Sequence, residues 1–221
     1  MDNEFVVAID GPAGSGKSTV AKLVAQKAGL LYIDTGAMYR AVTLKALRQG
    51  LEMEDEDGLC QAALTAEIDL VTDQNGKSQV ILDGRDVSQA IRTEELTNQV
   101  HYAARIPGVR EQMVKRQRQM AVGRRIIAEG RDIGTVVFPD ADRKFYLDAS
   151  VQTRAQRRYK ELKHKNQESD LEAIGEDIKI RDARDKGREI APLKKAEDAV
   201  CIDTTDLTID EVVNLIIEKL A

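Results

Sequence analysis

Residues Gly11-Pro12-Ala13-Gly14-Ser15-Gly16-Lys17-Ser18 have the spacing G-x-x-x-x-G-K-[ST]. An apolar run, Phe5-Val6-Val7-Ala8-Ile9, precedes them, and the helix-forming stretch Thr19-Val20-Ala21-Lys22-Leu23-Val24-Ala25 follows. Strand, glycine-rich loop and helix in that order are what a phosphate cradle requires. Glycine lets the loop wrap tightly, its N–H groups turn inward, and the helix adds its positive N-terminal end. In such a loop Lys17 reaches the β- and γ-phosphates and the Ser18 hydroxyl holds Mg²⁺. The competing reading, a Gly-rich turn of no function, has the full octapeptide and its context against it. These residues imply a nucleoside triphosphate site.

Transfer needs a second partner, and arginine is the residue suited to it. Its fork matches phosphate oxygens and keeps its charge. The candidates are Arg40, Arg110, Arg131, Arg154, Arg157, Arg158, Arg181, Arg184 and Arg188. The spacing of Arg181, Arg184 and Arg188 puts them on one helical face beside Asp185. A solvated, salt-bridged face explains that spacing as well as a phosphate clamp does. Gly130-Arg131-Asp132 follows a strand, so its two charged side chains are displayed at the strand's carboxyl end. Asp34-Thr35-Gly36 with Arg40 has the same form, and helix capping by Thr35 is the alternative there. A phosphate acceptor is largely dianionic near neutral pH and needs no general base. The isolation of His101 and His164 is therefore no objection to phosphoryl transfer.

The elements that must hold these residues alternate. Strands are expected at about 5–9, 30–33, 125–129, 144–147 and 199–203. Helices are expected at about 16–28, 37–48, 57–65, 93–105, 107–122 and 209–220. Gly29 and Gly50 close helices, Pro107 opens one, and Thr208 with Glu211 forms a capping box. Such alternation predicts a parallel sheet covered by helices, with ligands at the carboxyl ends of its strands. Residues 52–91 break the rhythm. Ile68–Thr72 and Gln79–Leu82 flank the hairpin signal Asn75-Gly76, so a small antiparallel unit is inserted there. Residues 151–188 are polar and helical, with a turn around Asn166.

With 221 residues, 42% hydrophobic and 32% charged, the chain is a charge-rich globular protein of one or two domains. A net charge of −5 and an aromatic content of 4% disfavour a general nucleic-acid surface. No run is long enough to span a membrane, and the polar start Met1-Asp2-Asn3-Glu4 reads as no signal peptide. Cys60 and Cys201 fit no metal spacing and are expected as buried, reduced thiols of a cytoplasmic protein.

The ordered set of motifs resembles the bacterial cytidylate kinases, a branch of the nucleoside monophosphate kinases, over nearly the whole length. Its markers are Ile9-Asp10-Gly11-Pro12, Asp34-Thr35-Gly36-Ala37-Met38-Tyr39-Arg40 and Val80-Ile81-Leu82-Asp83-Gly84. They continue with Asp86-Val87-Ser88, Ile91-Arg92, Glu129–Asp140, Arg181-Asp182-Ala183-Arg184-Asp185 and Ala191-Pro192-Leu193. The resemblance implies an α/β, three-layer phosphate-loop fold with a five-stranded parallel core sheet. It also implies a small antiparallel monophosphate-binding unit and a helical lid. One kinase domain would span 1–221, with core 1–35, 105–150 and 189–221, the insertion at about 36–104 and the lid with its following helix at about 151–188. The activity implied is transfer of the γ-phosphate of ATP to CMP and dCMP, with Mg²⁺, by a cytoplasmic monomer. Gly11, Pro12, Ala13, Gly14, Ser15, Gly16, Lys17, Ser18 and Thr19 would hold ATP, with Arg154, Arg157 and Arg158 closing from the lid. Arg40 and Arg131, with Thr35 nearby, would take the acceptor phosphate. Arg110 and Asp132 would read the cytosine edge, Asp185 and Arg188 the ribose, and Arg181 the phosphates. Lys17, Arg131, Asp132 and Arg181 would be the catalytic set. His101 stands where the family commonly carries a small hydroxyl residue. UMP, AMP or a small metabolite as acceptor is the alternative within enzymes. A GTP-driven switch is disfavoured, since no Asn-Lys-x-Asp motif is found.

Overall fold

The structure, a computed structural model, describes residues 4–72, 78–164 and 168–220. The expected turns at Asn75-Gly76 and Asn166 lie outside the described residues. The chain divides into two compact units: one comprises residues up to Tyr32 and from Gly123 onward, the other Ile33–Val122.

The first unit is built on β1 (Phe5–Asp10), β6 (Arg125–Gly130), β7 (Arg143–Asp148) and β8 (Val200–Asp203), all mutually parallel where they pair. With β2 (Leu31–Asp34) they form a five-stranded parallel sheet in the order β2-β6-β1-β7-β8. β1 takes the centre because its run Val7-Ala8-Ile9 is apolar on both faces and wholly buried. Helices α1 (Lys17–Ala28) and α8 (Ile209–Leu220) pack Val20, Val24, Val213 and Ile216 against Val7, Ile9, Ile127, Phe145 and Leu147. Gly29 ends α1 at φ 63°, and Thr208 and Glu211 form the expected reciprocal cap, at 2.8 and 3.3 Å.

Helices α6 (Val151–His164) and α7 (Leu171–Lys186) share a small core of Ala155, Ile174 and Ile178. Both cysteines are free, but Cys60 is only partly buried and Cys201 is exposed, against the expectation of two buried thiols. β8 is an edge strand that turns only Ile202 inward, so Cys201 faces out.

The second unit holds α2 (Thr35–Arg48), α3 (Glu56–Thr65), α4 (Glu94–Arg105) and α5 (Pro107–Ala121). It also holds β3 (Ile68–Thr72), β4 (Ser78–Leu82) and β5 (Arg85–Asp86), a three-stranded antiparallel sheet in the order β3-β4-β5. The inserted antiparallel unit is therefore present. Its ends are tied by Asp83, which accepts from Glu67 N at 2.9 Å and pairs with Lys45 at 2.9 Å.

Candidate active site

β1 ends at Asp10 and the chain turns at once. Gly11 lies at φ 149°, and a Cβ there would stand 2.0 Å from the Leu147 carbonyl oxygen on β7. Only glycine fits that gap. Gly14 and Gly16 lie at φ 78° and 90°, and Gly16 opens α1 without any side-chain cap. The first N–H groups of α1 are thus left to an anion. Ser15 lies in the same loop at 1% exposure, and among the described residues its Oγ has no hydrogen-bond partner. A buried hydroxyl without a partner is costly unless a ligand completes it. Lys17 is buried and donates from Nζ to the Pro12 carbonyl at 2.8 Å. Burial, with the Arg131 charge, pushes it down to about 7. Thr19 continues the first turn of α1.

Ser18 Oγ donates to Glu129 Oε1 at 2.6 Å, and Tyr32 OH reaches the same oxygen at 3.2 Å. Among the described residues no three His, Cys, Asp or Glu side chains could by themselves hold a metal. Mg²⁺ needs no such cage, because it takes one or two protein oxygens and completes its shell with phosphate and water. The Ser18 hydroxyl beside the Glu129 carboxylate is a hard-oxygen pair of that kind.

Beyond β6 the chain forms a π turn, Ile133–Val137. The buried Asp10 carboxylate accepts from Ile133 N and Gly134 N, both at 2.8 Å. This fixes the turn that displays Arg131 and Asp132. Arg131 donates from Nε to Asp185 Oδ2 at 2.6 Å and from Nη1 to the Gly130 carbonyl at 3.2 Å. Arg188 Nη2 donates to the other Asp185 oxygen. Burial alone would raise Asp185, but Arg131, Arg188 and then Arg181 hold its carboxyl below the usual range. Arg131 in turn is raised despite its burial, first by Asp185, so it stays charged. Arg131, Arg181, Asp185 and Arg188 are therefore one electrostatic cluster.

The three arginines of α6 differ. Arg154 is 3% exposed and pairs with Asp182 on α7 at 2.6 Å. Arg157 donates to Thr204 Oγ1 at 3.0 Å and to its carbonyl at 2.5 Å. Thr204 Oγ1 in turn donates to Asp148 O at 3.0 Å and Ser15 O at 3.3 Å. Arg158 lies toward solvent and pairs with Glu161 at 2.8 Å.

Thr35, Arg40 and Arg110 belong to the second unit. Thr35 is buried in the first turn of α2, whose cap is Asp34, accepting from Ala37 N at 2.8 Å. Thr35 is thus not the cap. Arg40 follows on the same helix, half-buried. Arg110 is 4% exposed, donates to the Ala104 carbonyl at 3.2 Å and lies 5.6 Å from the Tyr39 ring centroid. His101 Nδ1–H donates to the Asn98 carbonyl at 2.8 Å.

Asp10, Glu129, Asp182 and Thr204 are absent from the candidate set that the motifs give. For two of them a signal exists in the sequence. Asp10 and Glu129 are carboxylates at the ends of otherwise apolar strands, Phe5–Asp10 and Arg125–Gly130. A charge placed there must be partnered or functional. Asp182 and Thr204 carry no such mark.

The family model described as cytidylate kinase matches residues 7–221. Proteins named cytidylate kinase are similar along nearly the whole chain. That of Desulforamulus reducens is 55% identical over 217 residues, covering 98% of this chain and 97% of its own. That of Bacillus licheniformis is 49% identical over 218 residues, covering 99% and 96%. Among solved structures, an uncharacterized protein from Eubacterium ventriosum superposes with a TM-score of 0.51 at 12% identity, covering 98% of each chain, which shows the fold alone.

Proposed function

The chain belongs to the cytidylate kinase family, and from that premise we propose that it transfers the γ-phosphate of ATP to CMP and dCMP, giving ADP and CDP or dCDP. It is a phosphotransferase. The observation that carries the reading is the Arg131–Asp185–Arg188 cluster, built in the same unit as the phosphate loop. A triphosphate site alone would serve hydrolysis, switching or transfer. A half-buried, permanently charged arginine beside it serves a second, transferring phosphate.

The loop residues 11–19 hold the ATP phosphates, with the open end of α1 and the Ser15 hydroxyl as donors. Lys17 carries a proton most readily when an anion lies against it, because burial otherwise disfavours its charge. Ser18, with Glu129, would hold Mg²⁺. The ion, when bound, neutralises charge on the phosphate oxygens. Arg131 and Arg40 bind the acceptor phosphate with Thr35. Arg110 and Asp132 read the exocyclic amine and ring acceptors of cytosine, Asp185 and Arg188 the ribose, and Arg181 the migrating charge. Arg154, Arg157 and Arg158 serve the ATP side. The acceptor attacks as a dianion, so positioning and charge are what the protein supplies. The insertion at about 36–104 is the monophosphate-binding part and 151–188 the lid. Among the described residues no helix is long and apolar enough to cross a membrane. A cytoplasmic monomer without nucleic-acid partners completes the reading.

A coupled ADP-release assay with Mg²⁺ and ATP across CMP, dCMP, UMP, AMP and GMP tests it. Fast turnover with CMP and dCMP is expected, and Arg131→Ala loses far more than about tenfold in kcat/KM. Comparable turnover with UMP would move base recognition away from Arg110 and Asp132. Turnover with none of the five would overturn the kinase reading.

A further inference from the structure

Four of the five N–H groups of the Arg154 guanidinium donate to protein acceptors. Nε donates to the Ala149 carbonyl at 3.0 Å, Nη1 to the Ala13 carbonyl at 3.0 Å and to Asp182 Oδ1 at 3.1 Å. Nη2 donates to Asp182 Oδ2 at 2.6 Å. Both partners are buried, Arg154 at 3% exposure and Asp182 at 9%. The stem of Arg154 also lines the loop: a Cβ on Gly14 would stand 3.2 Å from Arg154 Cβ. One side chain therefore grips the Ala13–Gly14 peptide by its carbonyl and along its flank.

A trans peptide points its C=O and its N–H in opposite directions. Holding the Ala13 carbonyl toward Arg154 consequently turns the Gly14 N–H away from it, to the other side of the loop. Asp182 fixes the guanidinium plane by a bidentate pair, and it lies one residue after Arg181 on α7, which also carries Asp185 and ends just before Arg188. We propose that the buried Arg154–Asp182 pair is a positioning device. It sets the Ala13–Gly14 peptide plane for phosphate binding and ties that plane to the helix that carries Arg181 and Asp185 of the arginine cluster. The inference rests on the kinase reading and specifies how α6 and α7 serve the ATP side of it. In this state the charge of Arg154 is answered by Asp182, so it acts on nucleotide through the loop backbone.

Three variants separate this role from the two alternatives, direct phosphate contact and mere packing. Arg154→Met removes the grip but strands a buried carboxylate, which lowers stability for a reason unrelated to nucleotide. The double variant Arg154→Met/Asp182→Leu removes both charges, and apolar pairs of that kind restore stability. Asp182→Asn leaves Arg154 in place and loosens its orientation. Binding of Mg·ATP is measured by titration calorimetry, KM for ATP and for CMP by the coupled assay, and Tm by calorimetry.

The expected result is an ATP Kd weakened about tenfold in Arg154→Met and equally in the double variant, whose Tm returns to near that of the wild type. KM for ATP rises in step while KM for CMP stays within about twofold. Asp182→Asn weakens ATP in the same direction. Wild-type ATP affinity in the double variant would overturn the proposal in favour of packing. ATP binding unchanged or tighter in Asp182→Asn, with loss in Arg154→Met, would overturn it in favour of direct contact. If Arg154→Met does not fold, the other two variants decide. Failure of the kinase reading is distinct: the wild type would then bind ATP and turn over none of the monophosphates, while the Kd pattern would still stand or fall by itself.

Discussion

Asp10 sits at the junction of sheet, loop and π turn, and its burial has a consequence for pH. Burial pushes its carboxyl up to about 6, more than the N–H groups of Ile133 and Gly134 and the charge of Lys17 recover, and Asp132 adds to the rise. An acid whose folded pKa exceeds its unfolded value binds more protons in the folded state between the two. Stability from this group is therefore present at acid pH and is lost as pH rises from about 4 through about 6. The loss amounts to about 3 kcal/mol, from a shift of about two units. Asp10→Asn cannot ionise, so the Tm difference between wild type and variant should move against the wild type over that window. A pH-independent difference would show that Asp10 titrates normally. The phosphate loop was legible in the sequence because its glycines and Lys17 act through local backbone. Asp10 and Glu129 were not assigned, because their partners lie 123 and 111 residues away in the chain.

All the strands but the two-residue β5, and most helices, follow from pattern and punctuation alone. Pro107 opens α5, Gly29 closes α1, and the Thr208–Glu211 cap starts α8 where the sequence places it. The π turn at Ile133–Val137 had no signature, since its geometry comes from a remote carboxylate and not from its own residues. The close passage of the loop past β7 is likewise tertiary. Gly11→Ala would press a methyl group onto the Leu147 carbonyl from a backbone conformation that alanine disfavours. We expect it to cost about 3 kcal/mol in urea unfolding and to abolish ATP binding. Unchanged stability would mean that β7 yields at Leu147.

At the scale of the molecule, α6 and α7 are anchored to the phosphate loop at Arg154 and Asp182 and pack on each other beyond it through Ile174 and Ile178. If residues 151–188 close over nucleotide, amide exchange should slow on adding ATP and CMP together, most in the parts away from the anchor. Exchange unchanged by both substrates would remove the lid. The polar composition of this stretch made a surface element legible. The buried ion pair at its base was hidden, because Arg154 reads like any other arginine in a charged helix.

The first unit is discontinuous in the chain, and this bears on how the protein is made. β1 and the loop residues leave the ribosome before their sheet neighbours β6 and β7, which follow only after Gly123. Asp10 must wait for Ile133 and Gly134, and Gly11 for its place beside Leu147. Throughout that interval a nascent chain carries a strand apolar from Phe5 to Ile9 with no edge to pair with, the kind of segment that holding chaperones cover. The glycine-rich loop is thus synthesised well before the strands that brace it and, by topology, is among the last segments to reach its final shape.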